Sequence, residues 1–404
     1  MSSVSIWVEE LESAHQRISN RFARSEQRQR SLRYLKGLLC PVERKNGWQL
    51  AEHNGETTPD GMQRLLNAAK WDADAVRDDL RSYVVDHLGD ESAVLVVDET
   101  GFLKKGTHSA GVARQYSGTA GRIENSQIGV FLVYATGGTS HRATPQTATF
   151  LDRELYLPKE WIQDKARCQQ ASIPTSIGFT TKPQLAKAMI ERAIGSQVPF
   201  SWVTADSIYG GDRKLRLFLE EQGRSFVLGI ACNEPLWAMT EQGPRQIHAQ
   251  ALVQQLSQDS WQTLSAGDGA KGPRLYDWTL CQLYRYQPTS EDQAWGHWLL
   301  VRRSLAKPQE LAYYVVFAPS QTSLQQMVHV AGRRWSIESS FEVAKSQLGL
   351  DQYEVRRYDA WYRHITLSLL AHAVLCVIQN RLSQSMETQS MEITKEGGNL
   401  KKKG

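Results

Sequence analysis

The sequence predicts an α/β protein with a mixed-sheet core, preceded by an all-helical N-terminal domain and interrupted late by a β-rich insertion. Three observations predict this. Apolar residues recur at three- and four-residue steps over residues 1 to about 90. From about residue 91 to 230, short β-branched runs alternate with helix-patterned ones. From 231 to 311 the runs become polar, Trp-bearing and strand-like, as in "RLYDWTLCQLYRY" and "HWLLVRR".

Taken in order, Trp7, Leu11, Ala14, Ile18 and Phe22 form one stripe of an amphipathic helix whose other side collects Arg17, Arg21, Arg24 and Arg28. "GWQLAEHN" and "DGMQRLLNAAK" read as a helical pair joined by "GETTP". Ala73, Val76, Leu80 and Val84 mark a further helix. "AVLVV", "IGVFLVYAT" and "TATFLDRELYL" then read as three adjacent antiparallel strands. Thr181 as cap, Pro183 in the first turn and Gly195 as stop delimit the next helix. "FSWVTADSIYGG" is a strand ending on Asp206, followed by helix-like "RKLRLFLEEQG" and strand-like "SFVLGI". "LAYYVVF" lies in or beside the main sheet, and residues 312–382 supply a long helix from near Thr322 and the core helix "ITLSLLAHAVLCVI". The tail, 383–404, has the composition of a disordered segment.

Charge alone excludes little. The 47 Lys+Arg against 43 Asp+Glu give +4, too weak a bias to prove a nucleic-acid partner. Local distribution says more: Arg17 to Lys36 holds seven basic residues and one acid, whereas "DADAVRDDL" is acidic. Five cysteines without CxxC spacing suggest neither a disulfide framework nor a zinc site. The opening "MSSVSIWVEELES" lacks the basic-then-apolar order of a signal peptide, so a cytoplasmic protein is expected. The apolar run Ile365 to Ile378 is too short to span a bilayer, so no membrane partner is expected.

The chemistry is suggested by carboxylates. "VLVVDETGF" puts Asp98 at the end of an apolar strand, and "VTADSIYG" does the same with Asp206. Aspartates often end strands merely to bond the following turn, but two in the same setting place carboxylates where sheet proteins hold ligands. The third candidate lies in "AGRRWSIESSFEVAKSQLGLDQY". At about 100° per residue, Glu338 falls near 40° and Lys345 near 20° from Arg334, with Glu342 near 80°. Ile337, Phe341, Ala344 and Leu348 form the adjoining apolar seam. Arg334 and Glu338 also fit a surface ion pair at i,i+4. Three carboxylates without a Cys or His cluster suit a hard oxygen-seeking ion, magnesium or manganese. Two such ions about 4 Å apart would clamp a phosphodiester, with Arg334 and Lys345 meeting its charge.

These segments, from "LRYLKGLLCPVERKNGWQLAE" through "VVDETGF", "DRELYLP" and "VTADSIYG" to "RRWSIESSFEVAKSQLGLDQYEVRRY", resemble the DDE-type transposases of bacterial insertion sequences, most closely the seven-hundred-and-one group. The resemblance implies an RNase H-like core, cleavage of DNA at transposon ends with two divalent ions per active site, and joining of the 3′ ends to target DNA. It implies double-stranded DNA partners, namely terminal inverted repeats and target, a homodimer on DNA, and work at the bacterial nucleoid. Asp98, Asp206 and Glu338 resemble the three metal ligands. Arg334, Glu338 and Lys345 keep the family's spacing on the final helix, while its tyrosine position is Ala331.

Further DNA-contact candidates are Lys104, Lys105, Arg356 and Arg357, each equally at home on a solvated surface. Gln63, Arg64 and Asn67 are candidate major-groove readers in the N-terminal helices, the other reading being helical packing. Trp295 and Trp298 are candidates for stacking an extruded base, although tryptophans in β structure are more often core. Besides an active transposase, two readings stand: a non-cutting DNA-binding protein of the same fold, and a two-carboxylate glycoside hydrolase, which leaves Arg334 and Lys345 unexplained.

Overall fold

A computed structural model describes residues 3–137, 147–269, 272–286, 289 and 293–400, with side chains described between residues 5 and 385. Helices α1 (Ser3–Ile18), α2 (Ser25–Leu39), α3 (Gly47–His53), α4 (Asp60–Asn67) and α5 (Ala73–Leu88) account for the expected helical N-terminal region. Its basic face is partly neutralised from within. Arg17 pairs with Asp86 at 2.5 Å and Arg21, in the 3-10 turn after α1, makes a two-pronged bond to Asp79, so acidic residues of α5 face the basic end of α1. These helices share one hydrophobic cluster with the rest of the chain, packed on the last helix, and so have no core of their own.

Strands β1 (Val94–Leu103), β2 (Ala113–Ser117), β3 (Arg122–Ala135) and β4 (Ala148–Tyr156) follow. β3 pairs antiparallel with β1 on one side and with β2 and β4 on the other, so the three expected strands are adjacent and β2 is an addition. After short helices α6 (Lys159–Gln163) and α7 (Lys165–Gln170) comes α8 (Lys182–Gly195). It starts with a complete capping box between Thr181 and Gln184, with Pro183 in the first turn. Then follow β5 (Trp202–Ala205), α9 (Ser207–Gly210), α10 (Arg213–Glu221) and β6 (Ser225–Ile230). β5 lies parallel to both β1 and β6. The order β4-β3-β1-β5-β6 is the mixed core expected of an RNase H-like protein.

The insertion differs from expectation. Only β7 (Pro235–Thr240) and β8 (Gly243–His248) form a separate hairpin, followed by α11 (Ala249–Val253). β9 (Gln262–Gly269), β10 (Gly272–Gln282) and β11 (Trp295–Arg303) instead join β12 (Leu311–Pro319), which pairs with β6, and extend the main sheet to ten strands among the described residues. The free edge of β6 takes β12 because an unpaired edge would leave backbone groups unsatisfied.

The final helical region is broken. α12 (Leu324–Arg333) and α13 (Trp335–Ser346) meet at Arg334, where i→i+3 bonds from Arg334 to Ala331 and from Ile337 to Arg334 tighten the turn. Gly332 comes so close to β9 that a Cβ there would lie 1.9 Å from the Ala266 carbonyl oxygen. The helix α14 (Tyr358–Leu400) continues through residues expected to be a disordered tail. "SQSMETQSMEITKE" is made largely of helix-compatible residues that extend a helix already nucleated in the core. Residues 401–404 lie outside the described residues. The apolar part of α14 is long enough to cross a bilayer, but 78% of its most apolar window is buried inside the fold.

Two devices tie α14 down. In "DRELYLP", Asp152 accepts from Arg192 at 2.8 Å, Glu154 accepts from Arg192 and from Tyr362, and the fully buried Arg153 reaches Asp74 and Thr366. This network joins α5, β4, α8 and α14. The second device is a pair of fully buried histidines. His364 shares a 2.8 Å hydrogen bond with the Tyr34 hydroxyl, and His372 one of 3.1 Å with Thr149. Burial pushes both from the usual 6.5 down to about 4. Both are therefore neutral in the folded chain and take up a proton on unfolding. Their contribution is present above pH 6.5 and lost as pH falls toward 4, at most about 3 kcal/mol for each. Thermal melts followed by circular dichroism should drop steeply across that window, and His372→Phe should flatten the profile. A wild-type melting temperature unchanged between pH 7 and pH 4.5 would contradict this.

Candidate active site

Asp206 sits where the sequence suggests, directly after β5. Its carboxylate accepts the Ile208 amide at 2.9 Å and caps α9, so it also performs the ordinary turn-capping task. Asp98 does not end its strand: β1 runs on to Leu103. What ends there is the parallel pairing, whose last matched residues are Val97 and Ala205. Asp98 and Asp206 are each the next residue along. Register, rather than strand ends, brings them together.

Glu338 is placed by packing. Ile337, Phe341, Ala344 and Leu348 are all buried, as the helical pattern requires. The Phe341 ring lies 5.3 Å from that of Phe131 on β3 and 5.5 Å from that of Phe150 on β4. This seats α13 on the sheet with Glu338 toward β1 and Glu342 exposed. Arg334 links the two elements. It donates to Asp98 Oδ2 at 3.3 Å and to Glu338 Oε1 at 2.5 Å. The surface-pair reading of Arg334 and Glu338 is thus half right, because the pair exists but is tied to β1.

Burial, together with the negative charge of Asp206, raises the Asp98 carboxyl to about 7 in spite of Arg334. Burial also raises Asp206, with the charge of Glu99 adding to it. Two desolvated acids side by side call for a cation, and oxygen donors alone suit a hard divalent one. The donor set therefore fits. Among the described residues the three carboxylates do not form a ready-made ion cage, since the Arg334 guanidinium lies between Asp98 and Glu338.

Lys345 reaches β1 further along, donating to Thr100 Oγ1 and the Gly101 carbonyl at 2.8 and 3.1 Å, and also to Thr119 Oγ1 in the β2–β3 turn at 2.9 Å. Glu99 is a carboxylate for which the sequence suggests no role. Lys182 bonds it at 2.7 Å and the buried Tyr209 hydroxyl donates to it at 2.5 Å, fixing α8 and α9 against β1 beside the two aspartates. The adjacency of Asp98 and Glu99 in "VVDETGF" was the only available signal.

The weaker candidates separate. Lys104 turns inward, its ammonium 3.5 Å from the Tyr353 ring centroid and bonded to the Tyr353 carbonyl, so it is not a solvated phosphate contact here. Lys105 and Arg356 are exposed, while Arg357 is paired with Asp359. Gln63 and Arg64 are exposed on α4, and Asn67 folds back onto the Gln63 carbonyl. Trp295 stacks on Phe317 at 4.6 Å, and Trp298 closes over Gly296, so both serve the sheet. Other aromatics face the site. A cavity of about 550 Å³ beside Asp206 and Arg334 is lined by Arg274, Tyr276, Trp278, Arg302, Tyr314 and Trp335. The buried Trp278 indole nitrogen has no hydrogen-bond partner among the described residues.

The profile of the DDE superfamily endonuclease family matches residues 17–278. The chain belongs to this family. The matched span contains Asp98 and Asp206 and stops short of Glu338. The probable transposase for insertion sequence element IS701 of Microchaete diplosiphon is 24% identical over 325 residues, covering 80% of this chain and 75% of its own length. Membership in the DDE superfamily carries with it a nuclease activity and a general use of divalent metals.

Proposed function

We propose that this DDE superfamily endonuclease is an insertion-sequence transposase, cutting phosphodiester bonds at the ends of its element and joining the 3′ ends to target DNA. It works in the cytoplasm on nucleoid DNA, as a dimer on the ends. Asp98, Asp206 and Glu338 would hold two magnesium ions, or manganese in their place. The observation that carries this reading is the placement of Asp98 and Asp206 one residue beyond the last register pair of two parallel strands, with Glu338 brought to them through Arg334.

Bound ions would activate the attacking oxygen and offset charge on the leaving one. The chain's residues do the remainder. The Glu99, Lys182 and Tyr209 network keeps β1, α8 and α9 in register, so that Asp98 and Asp206 stay side by side. Lys345, held by Thr100 and Thr119, sets a fixed positive charge along the path of a phosphate backbone. The 550 Å³ cavity, with its aromatic faces, three arginines (Arg274, Arg302 and Arg334) and an indole N–H without a partner among the described residues, suits a nucleotide drawn out of the duplex. The deciding experiment incubates the full chain with its element's end DNA and magnesium and maps the cut strands. Cleavage at the 3′ ends of the element is expected, and no cleavage with any divalent ion would overturn the reading.

End recognition falls to α4, where Gln63 and Arg64 are exposed on one face. Because residues 1 to 90 share the core with α14, a truncation would unfold more than it tests. Paired substitution Gln63→Ala and Arg64→Ala in the full chain should weaken end binding in gel shifts by about tenfold, the scale of one lost base-reading pair. Unchanged binding would place recognition on another surface.

A further inference from the structure

We propose that Arg334 is a built-in placeholder for the divalent ions, occupying their carboxylate ligands in the DNA-free chain and swinging away when an ion loads. This rests on the assignment of Asp98 and Glu338 as ligands. The two oxygens that the guanidinium addresses, Asp98 Oδ2 and Glu338 Oε1, are oxygens those ions would need. A divalent ion binds carboxylates at roughly 2.0 to 2.6 Å and repels a positive charge beside it, so ion and guanidinium exclude each other there.

The geometry also supplies both ends of the movement. In the present position Arg334 offsets the charge of an aspartate otherwise buried next to Asp206 and Glu99. The other position is the adjoining cavity, whose wall Arg334 already forms. Tyr314 and Trp278 there offer flat faces on which a guanidinium stacks well, whereas Tyr276 and Trp335 are already faced by Arg302 at 4.6 Å and Arg274 at 5.9 Å. Arg334 has the freedom to turn because its side chain is 28% exposed and its backbone stands at the break between α12 and α13. A DNA phosphate entering the site would draw the arginine off in the same way. Ion loading is thereby coupled to the arrival of substrate.

The test titrates Mn²⁺ alone into the DNA-free full chain, read by electron paramagnetic resonance of the free ion, for wild type and for Arg334→Gln, Arg334→Lys and Asp98→Asn. Both Arg334 variants should bind the tightest Mn²⁺ about tenfold better, within the usual span of coupling between two mutually exclusive occupants. Lysine is the informative variant, because it keeps the charge but cannot bridge the two carboxylates. If Arg334→Lys binds like wild type, charge alone is at work and the placeholder is overturned. It is equally overturned if all three Arg334 forms bind alike. If Asp98→Asn keeps full Mn²⁺ binding, the ligand assignment itself has failed, a different outcome from failure of the placeholder.

A second readout does not depend on a variant. Modification of wild-type Arg334 by phenylglyoxal, mapped by peptide mass, should rise on addition of Mn²⁺ as the guanidinium leaves the carboxylates. Protection by Mn²⁺ would overturn the proposal.

Discussion

Asp98→Asn should leave the protein folded and bound to DNA while lowering strand cleavage by on the order of a thousandfold or more, the scale for losing a group that stabilises transition-state charge. Asn keeps the size of the side chain and an oxygen able to accept the Glu99 amide, which donates to Asp98 at 2.8 Å. What it removes is the charge. Because the folded chain raises the Asp98 carboxyl to about 7, the fold favours its neutral form more than water does. Asparagine mimics that form, so above the ordinary carboxylate range the variant should melt at or above the wild-type temperature. Inactivity combined with undiminished stability separates lost chemistry from lost folding. DNA binding rests on phosphate contacts elsewhere and should persist in gel shifts. Retained cleavage would remove Asp98 from the ion site.

Much of this site was legible because its determinants are local. The buried seam of Ile337, Phe341, Ala344 and Leu348 is a matter of helical period, and period is written in a dozen consecutive residues. The capping box at Thr181 is likewise local. The sequence does not show which strand pairs with which. Asp98 looks like a strand end because the apolar run stops there, yet β1 continues because β3 offers it partners from Ala135 to Ser126. The late strands look like a separate subdomain because they are polar and Trp-bearing. They join the main sheet because the edge of β6 is open to β12.

Charges mislead for the same reason. Arg17 and Arg21 form a basic face on a helical wheel, but their partners Asp86 and Asp79 lie 69 and 58 residues away. Lys104, beside Asp98 in sequence, is claimed by Tyr353 from the far end of the chain. The role of Glu99 is not legible in the sequence because it depends on Lys182 and Tyr209, neither of which stands out alone. In each case tertiary contacts settle what a side chain does after local pattern has settled where it points.

The choice between Glu338 and Glu342 tests that division. Both lie on the polar side of α13, one turn apart, and composition cannot separate them. Their distance from the seam can. Glu338 adjoins Ile337 and Phe341, whose contacts with β3 and β4 fix the helix, and its carboxylate meets Arg334, which in turn bonds Asp98. Glu342 is exposed, and its backbone carbonyl accepts the Ser346 hydroxyl. The spacing to Lys345 agrees. Seven residues are two turns, about 10.5 Å of rise, which carries Lys345 past Asp98 to Thr100 on β1 and to Thr119 in the turn between β2 and β3. Glu338→Gln should therefore abolish metal-dependent cleavage, and Glu342→Gln should lower it a few-fold at most, the usual scale for a surface charge. Single-turnover strand cleavage in magnesium measures both. The reverse result would mean that α13 is rotated by about 40°, an i to i+4 step, from the position its aromatic seam dictates. Arg334 and Lys345 would then lose their assigned places along with Glu338.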